Sequence, residues 1–79
     1  MQNYELSSHA KTVKLERKIQ QSWIDDAFYF PDKIIEVDYD EVHYLKKTKE
    51  FGNRYLRLVV NPLKEPNLII TVFFDRRLK

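Results

Sequence analysis

Histidine and arginine side chains lie on both the first predicted helix and the closing predicted strands. His9 begins a helix-forming run, and Arg17 follows eight residues later on the same predicted helix. Histidine titrates near neutral pH and is therefore a common proton donor or acceptor. The start of a helix also favours anions, because its first N–H groups point outward. His9 and Arg17 are therefore candidate catalytic residues; a His9 that only bonds local backbone is the alternative.

A second group lies on the penultimate predicted strand. Arg57 alternates with apolar neighbours, so it is expected on the face opposite the core. A guanidinium on a rigid strand beside an aromatic ring binds phosphate through two N–H bonds and stacks against a base. Arg57 is therefore a candidate catalytic cation, and Arg54 and Tyr55 are candidate RNA-binding residues. An ion pair between Arg57 and a carboxylate of the acidic middle segment is the alternative.

The last predicted strand supplies a third group. Thr71 interrupts an otherwise apolar run, and its hydroxyl is a candidate catalytic group, although a tolerated β-branched residue is the commoner interpretation. Asp75, Arg76 and Arg77 follow at the end of the strand. These three residues form either a phosphate-binding cluster or a solvated terminus, and the sequence favours neither.

The residue types exclude several kinds of site. The chain has no cysteine and only one glycine, which excludes thiolate chemistry, cysteine-based metal sites and a glycine-rich phosphate loop. His9 and His43 are the only histidines, and a metal site would need carboxylates beside both. No apolar run approaches the ~20 residues of a membrane span, and no signal-peptide pattern is present. We therefore expect no metal, no cofactor, no membrane partner and a cytoplasmic location.

Charge is distributed unevenly along the chain. The net charge is +2 over residues 1–19, −6 over residues 20–41 and +6 over residues 42–79. A basic face suits a polyanion such as RNA, whereas an acidic face suits a basic protein or favours solubility. Scattered solvated charge is the alternative. The carboxylates within residues 32–41 predict a solvated sheet edge that discourages strand addition.

The elements that position these residues are predicted to form one domain spanning residues 1–79. Helix formers without proline or glycine predict a first helix over 9–18, with serine caps before it, and a second over Gln21–Tyr29 that begins with a Ser22–Asp25 capping box. Strands are predicted at Tyr4–Leu6, 34–39, 42–48, 54–60 and 68–74, the last as the central, doubly covered strand. The predicted class is α+β: β-α-α-β-β-β-β, with two N-terminal helices packed on one face of a mostly antiparallel four- to five-stranded sheet.

Four segments together resemble a bacterial family catalogued as domain of unknown function 4258: LSSHAKTVKLERKI, WIDDAFYFPDKI, FGNRYLRLVVNP and LIITVFFDRRLK. The most specific marks are the His9–Ala10 pair, Arg17, and residues 71–76. The chain departs from the family pattern at three positions. Many members have arginine, glycine and tyrosine where this chain has Val13, Lys18 and Phe73.

The resemblance implies a fold related to the small RelE/ParE-type toxins of bacterial toxin–antitoxin modules. That superfamily includes ribonucleases that cut RNA without metal and members that bind gyrase instead. The implied function is therefore a toxin acting as a metal-independent endoribonuclease, with RNA as substrate and a cognate antitoxin as partner. The alternative is a non-catalytic binding module that inhibits a protein target or serves in a complex. The ribonuclease hypothesis requires His9 and the guanidinium groups, Arg57 among them, to converge on one cavity of phosphate size.

Overall fold

A computed structural model describes residues 3–76 and has the element order β-α-α-β-β-β-β. The helices are α1 (Ser8–Glu16) and α2 (Gln21–Tyr29), and a short 3-10 turn covers Lys49–Phe51. The strands are β1 (Tyr4–Leu6), β2 (Lys33–Asp38), β3 (Glu41–Thr48), β4 (Arg54–Asn61) and β5 (Asn67–Asp75). No helix among the described residues is long and apolar enough to cross a membrane.

The five strands form one sheet in the order β1-β5-β4-β3-β2. β1 runs parallel to β5, and the other neighbours are antiparallel. The expectation of an α+β protein with two helices and a mostly antiparallel sheet is thereby confirmed. The expectation that β5 is the central strand is wrong, because β4 occupies the middle. β1 covers β5 only along Asn67–Ile69, which leaves the remainder of that edge unpaired by β1.

Both helices contribute to a single hydrophobic core. α1 packs mainly on β5, and α2 packs on β4 and β3. The core follows the strict alternation of β4, whose every second side chain is buried. The core residues come from both helices, the loop between them and two strands: Ala10, Ile19, Ile24, Ala27, Phe28, Leu56, Leu58, Val60, Ile69 and Val72.

Ser7 fixes the start of α1 against β5. Its hydroxyl oxygen accepts a hydrogen bond from the Ala10 N–H at 3.0 Å, as an N-cap does, and its hydroxyl donates to the Ile70 carbonyl at 2.6 Å. Its backbone N–H donates to the Ile69 carbonyl at 3.0 Å. Since Ser7 bonds both the helix and the strand, it sets where the next residues of α1 lie relative to β5.

The helix ends differ from expectation in two places. α1 ends at Glu16, before the predicted residue 18, because Lys18 adopts a positive φ of 55° that a right-handed helix does not allow. The predicted Ser22–Asp25 capping box is wrong. Gln20 is the N-cap of α2, without a side-chain cap bond, and Asp25 instead accepts a hydrogen bond from Tyr4.

A β-bulge in β5 sets the direction of Thr71. The β4–β5 register pairs Val60 with Ile69 but Val59 with Thr71, so Ile70 is the extra residue. Val60 is buried in the core and its neighbour Val59 lies on the other face. Thr71 therefore lies on the face opposite Ile69, although simple alternation predicts the same face for both.

Candidate active-site cleft

A cleft of about 610 Å³ lies between α1 and the C-terminal half of β5. The 3-10 turn and the beginning of β4 close one side of it. Five of the residues singled out from the sequence line this cleft together: His9, Arg17, Arg54, Thr71 and Arg76.

The α1 wall is built by one stripe of the helix. His9, Val13 and Arg17 are spaced four residues apart, which places them one above another on a helix surface, and all three line the cleft. His9 lies in the first turn and Arg17 is the C-cap residue. The two therefore lie about 12 Å apart along the axis, at ~1.5 Å per residue. Stacked nucleotides of one strand are ~3.4 Å apart, so the wall spans several of them.

The opposite wall is the free edge of β5. Four consecutive residues, 71–74, line the cleft. Successive side chains of a strand point to opposite faces, so a cleft lined by four in a row runs along the strand edge instead of over one face. This edge is accessible because the pairing with β1 ends at Ile69. The bulge at Ile70 therefore lies at the point where the cleft begins.

The cleft is basic. Arg17, Arg54 and Arg76 are exposed, and within residues 3–76 their side chains make no hydrogen bond or ion pair. His9 is likewise exposed and has no side-chain partner in the described part of the chain. None of the described lining residues is a carboxylate. Three guanidinium groups with free donors around one hollow favour an anion with several oxygens, such as a phosphodiester.

Two aromatic rings border the basic groups. Phe51 and Phe73 line the cleft and remain 42% and 37% exposed, respectively. The Phe51 ring stacks on Phe74 with centroids 4.1 Å apart and planes 12° from parallel. This stacking holds Phe51 in place and leaves its surface available to a nucleobase. Sequence reasoning missed Phe51; its position beside the Gly52 turn, three residues before β4 begins at Arg54, is the signal that was available.

Arg57 does not line the cleft. Its Nε and Nη2 atoms are each 3.0 Å from Asp75 Oδ2, and its Nη1 is 2.7 Å from His43 Nδ1. The alternation of β4 places Arg57 on the face of the sheet away from the helices, and its side chain is 13% exposed. Its partner carboxylate is Asp75 of β5 and does not come from the acidic middle segment. Arg57 and His9 thus belong to different groups, so the expected convergence of both on one cavity does not occur in this cleft. The guanidinium groups that share the cleft with His9 are those of Arg17, Arg54 and Arg76.

The remaining sequence candidates divide as follows. Tyr55 pairs with Asp75 across the β4–β5 register, so Tyr55 and Asp75 both belong to the Arg57 group. The Lys33 ammonium lies 5.8 Å from the centroid of the Tyr55 ring. Arg77 lies outside the described residues. No group of three or more histidine, aspartate or glutamate side chains that could hold a metal ion occurs in the described chain.

The Arg57 group continues through a histidine that sequence reasoning used only to exclude metal. Guanidinium nitrogens are donors only, so His43 Nδ1 must accept from Arg57. In the neutral ring the proton then lies on Nε2, which is 2.7 Å from Glu41 Oε2 and donates to it. Glu41, His43, Arg57 and Asp75 form a continuous chain of hydrogen bonds across three strands. These polar groups satisfy one another, which indicates a structural role.

Comparison with protein families finds one match. The sequence model of a family described as a domain of unknown function, DUF4258, matches residues 6–74. The match covers α1, β4 and nearly all of β5, and therefore the described residues that line the cleft except Arg76. Neither the curated proteins nor the solved structures contain a significant match.

Proposed function

We propose that the basic cleft binds RNA and cleaves it without a metal ion. The chain belongs to the DUF4258 family, which is described as a domain of unknown function. The reaction is an intramolecular transesterification, in which the neighbouring 2′-oxygen of the RNA replaces the 5′-oxygen on phosphorus. In this proposal the protein is the toxin of a bacterial toxin–antitoxin module, with a fold of the RelE/ParE type.

One observation supports the proposal above the others: the same hollow is lined by a histidine and by three arginines whose side chains have no partner among residues 3–76. His9, Arg17, Arg54 and Arg76 come from three separate parts of the chain, and the fold brings them together. Structural arginines pair with carboxylates, as Arg57 does with Asp75. Guanidinium groups left free beside a histidine suit a ligand that brings its own negative charge and needs a proton transferred.

The chemistry needs few protein groups because RNA supplies its own nucleophile. The 2′-oxygen attacks phosphorus and loses its proton, a 2′-oxygen–phosphorus bond forms, and the phosphorus–5′-oxygen bond breaks. The products are a 2′,3′-cyclic phosphate and a 5′-hydroxyl, so the 5′-oxygen gains a proton. One group takes a proton and one gives a proton, and cations stabilise the charge that develops on the phosphoryl oxygens.

In this scheme the neutral imidazole of His9 accepts the proton of the 2′-hydroxyl, and water donates the proton that the 5′-oxygen gains. His9 is the histidine among the described residues that line the cleft, and it lies exposed in the first turn of α1. Imidazole is the side chain most often used to transfer protons in catalysis. Arg54 and Arg76 stabilise the developing charge, and a well-placed donor of this kind lowers the activation barrier by about 3 to 4 kcal/mol. Arg17 lies at the far end of the helix stripe, so it contacts a neighbouring phosphate and fixes the strand along the cleft.

Two other sequence candidates have smaller parts. Thr71 lies on the β5 wall, where its hydroxyl donates to a phosphate oxygen. Arg57 has no part in the reaction, since its donors face Asp75 and His43. A cognate antitoxin, in this proposal, neutralises the protein by covering the basic cleft with acidic side chains.

A second candidate function is a non-catalytic binding module. It is favoured by the β2 strand, whose six residues are all exposed and include three aliphatic side chains. A module of this kind acts by holding a protein partner and leaves RNA intact.

Inducible expression in a bacterial host separates the two functions. Wild type, His9→Ala and Lys11→Ala are expressed to equal levels while growth and total RNA integrity are followed. Lys11 is an exposed residue of α1 outside the cleft, so its variant controls for the loss of one side chain from the helix. The proposal predicts arrested growth and degraded RNA for wild type and Lys11→Ala, and neither for His9→Ala. Arrested growth with intact RNA would favour the binding module.

A further inference from the structure

The β2 strand is exposed along its whole length. All six residues of Lys33–Asp38 are exposed, whereas the other long strands bury at least two residues each. Ile34 and Val37 are 58% and 54% exposed, and Ile35 is 40% exposed. Isolated apolar residues are ordinary on a surface, but here three exposed aliphatic residues occur within one four-residue stretch of a strand.

The position of β2 explains this exposure. β2 is the last strand of the sheet, and α2 packs on β4 and β3. A nine-residue helix is only about 13 Å long, and neighbouring strands are ~4.8 Å apart, so two such helices do not cover five strands. Ile34 and Ile35 point to opposite faces of the sheet. An apolar contact is therefore available on both sides of the same strand.

The outer edge of β2 offers backbone groups for pairing. One edge pairs with β3, and no described strand lies on the other. The register with β3 is regular from Lys33 to Glu36 and shifts between Glu36 and Asp38, where Val37 is the extra residue. The straight part of the edge is thus four residues long, which is enough to guide a short added strand.

The charge of this edge selects what can pair with it. Glu36 and Asp38 lie within β2, and Asp32 and Asp40 flank it, against one lysine, Lys33. Asp32 and Asp38 already have partners within the chain, but the Glu36 side chain has none among residues 3–76. Like charges opposite one another destabilise a strand pair and opposite charges stabilise it. A second copy of β2 is therefore disfavoured as a neighbour, and a basic strand is favoured.

We propose that the β2 edge accepts an extended segment of a partner protein, basic and aliphatic residues alternating, as a sixth strand. Glu36 shares a face of the sheet with Ile34, and the bulge at Val37 puts Asp38 on the face of Ile35. Lysines or arginines of the segment that lie against Glu36 therefore place its aliphatic side chains beside Ile35, and those that lie against Asp38 place them beside Ile34. The carboxylates that discourage pairing with an acidic strand thus determine which strand is accepted. β2 is separated from β5 by β4 and β3, so a partner at this edge leaves the cleft open.

The test uses the full chain, labelled with ¹⁵N, and two synthetic eight-residue probes. One probe alternates lysine with valine, and the other alternates glutamate with valine. The lysine probe should shift the amide resonances of Lys33–Asp38 and slow their hydrogen exchange, and it should bind at least about tenfold more tightly than the glutamate probe. The variant carrying Glu36→Lys and Asp38→Lys should reverse that preference. Both changed residues are exposed, so the fold should be retained.

Two further variants complete the test. Ile34→Ser should weaken binding of the lysine probe, whereas Arg54→Gln in the cleft should not change it. Equal binding of both probes, or resonance shifts confined to residues outside β2, would overturn the proposal. So would a dimer of the unmodified chain that Ile34→Ser converts to a monomer, because the occupant of the edge would then be a second copy. These outcomes do not depend on ribonuclease activity.

Discussion

Arg57 and Asp75 form an ion pair between the adjacent strands β4 and β5, with Arg57 Nε and Nη2 each 3.0 Å from the same carboxylate oxygen, Oδ2. The Asp75 side chain is 2% exposed. The pair lies at the end of β5 next to the strand residues that line the cleft. It therefore fixes the part of the sheet from which Phe73 and Phe74 approach the cleft, without offering a donor to the substrate.

The first prediction concerns this pair. Arg57→Leu should lower the free energy of unfolding by about 3 to 5 kcal/mol, because it leaves the Asp75 charge buried without its arginine. The double variant Arg57→Leu, Asp75→Leu should be more stable than Arg57→Leu alone, since the buried carboxylate that lost its arginine is gone. Urea denaturation of wild type, the two single variants Arg57→Leu and Asp75→Leu, and the double variant provides the measurement. A double variant as unstable as the two single losses added together would show that the pair is not coupled.

The second prediction concerns the proton of His43. Because Nδ1 accepts from Arg57, the neutral ring should carry its proton on Nε2 and donate to Glu41. Nitrogen-15 spectra of the imidazole, recorded at about pH 8 where a histidine is ordinarily neutral, distinguish the two tautomers directly. Glu41→Gln should leave the tautomer unchanged, because the Arg57 contact remains. A ring protonated on Nδ1 would contradict the described chain of hydrogen bonds.

The third prediction concerns alkaline pH. Burial, together with the hydrogen bond to the Asp25 carboxylate, raises the pKa of Tyr4 above its ordinary value of 10.0. A group whose pKa is higher in the folded state than in the unfolded state stabilises the native state. This stabilisation is present in full at pH values below the unfolded pKa and is lost as the pH rises toward the folded pKa. The free energy of unfolding should therefore fall more steeply above pH 10 for wild type than for Tyr4→Phe.

Denaturation midpoints measured between about pH 9 and pH 11 test this, since the unfolded tyrosine titrates near the middle of that range. Other tyrosines and the lysines titrate in both chains, so the difference between the curves isolates Tyr4. Parallel curves for the two proteins would contradict the assignment.

The fourth prediction concerns the free arginines of the cleft. Arg54→Gln should weaken binding of a single-stranded RNA and reduce the slope of log affinity against log salt by about 0.7, the value for one lost phosphate contact on a single strand. Lys64→Gln serves as the control, because Lys64 is exposed in the β4–β5 loop and does not line the cleft. Fluorescence anisotropy across a salt series measures both variants. Equal slopes for the two would place the RNA elsewhere.

Much of the architecture follows from local pattern. The 3.6-residue repeat of α2 and the alternation of β4 predict the buried faces because each element packs one side on a single core. β5 shows where this reasoning fails. Its nearly continuous apolar run is typical of a central strand, but here Ile70 and Phe73 are 38% and 37% exposed near a partly unpaired edge. Strand order depends on the parallel pairing with β1, which links residues far apart in sequence.

The candidate site was likewise predicted only in part. His9, Val13 and Arg17 line one wall because helical spacing fixes their common side. Arg57 was expected there on the strength of residue type and strand face, and neither indicates which carboxylate lies within reach. Asp75, its partner, comes from the next strand and was interpreted as a phosphate-binding residue. Thr71 lines the cleft because the cleft runs along the free edge of β5, and the bulge at Ile70, which no local residue pattern indicated, turns its side chain to the face opposite Ile69.

The central claim is that His9 and the cleft arginines cleave RNA through its 2′-hydroxyl. The most direct measurement incubates the purified full chain, with a chelator present, with an RNA oligonucleotide and with its 2′-deoxy counterpart, and identifies the new ends. The account predicts a 2′,3′-cyclic phosphate and a 5′-hydroxyl from RNA, an intact deoxy strand, and a rate reduced by about 10² to 10⁴ in His9→Ala but unchanged in Lys11→Ala. An RNA that stays intact at every protein concentration, or a His9→Ala variant as fast as wild type, would contradict it.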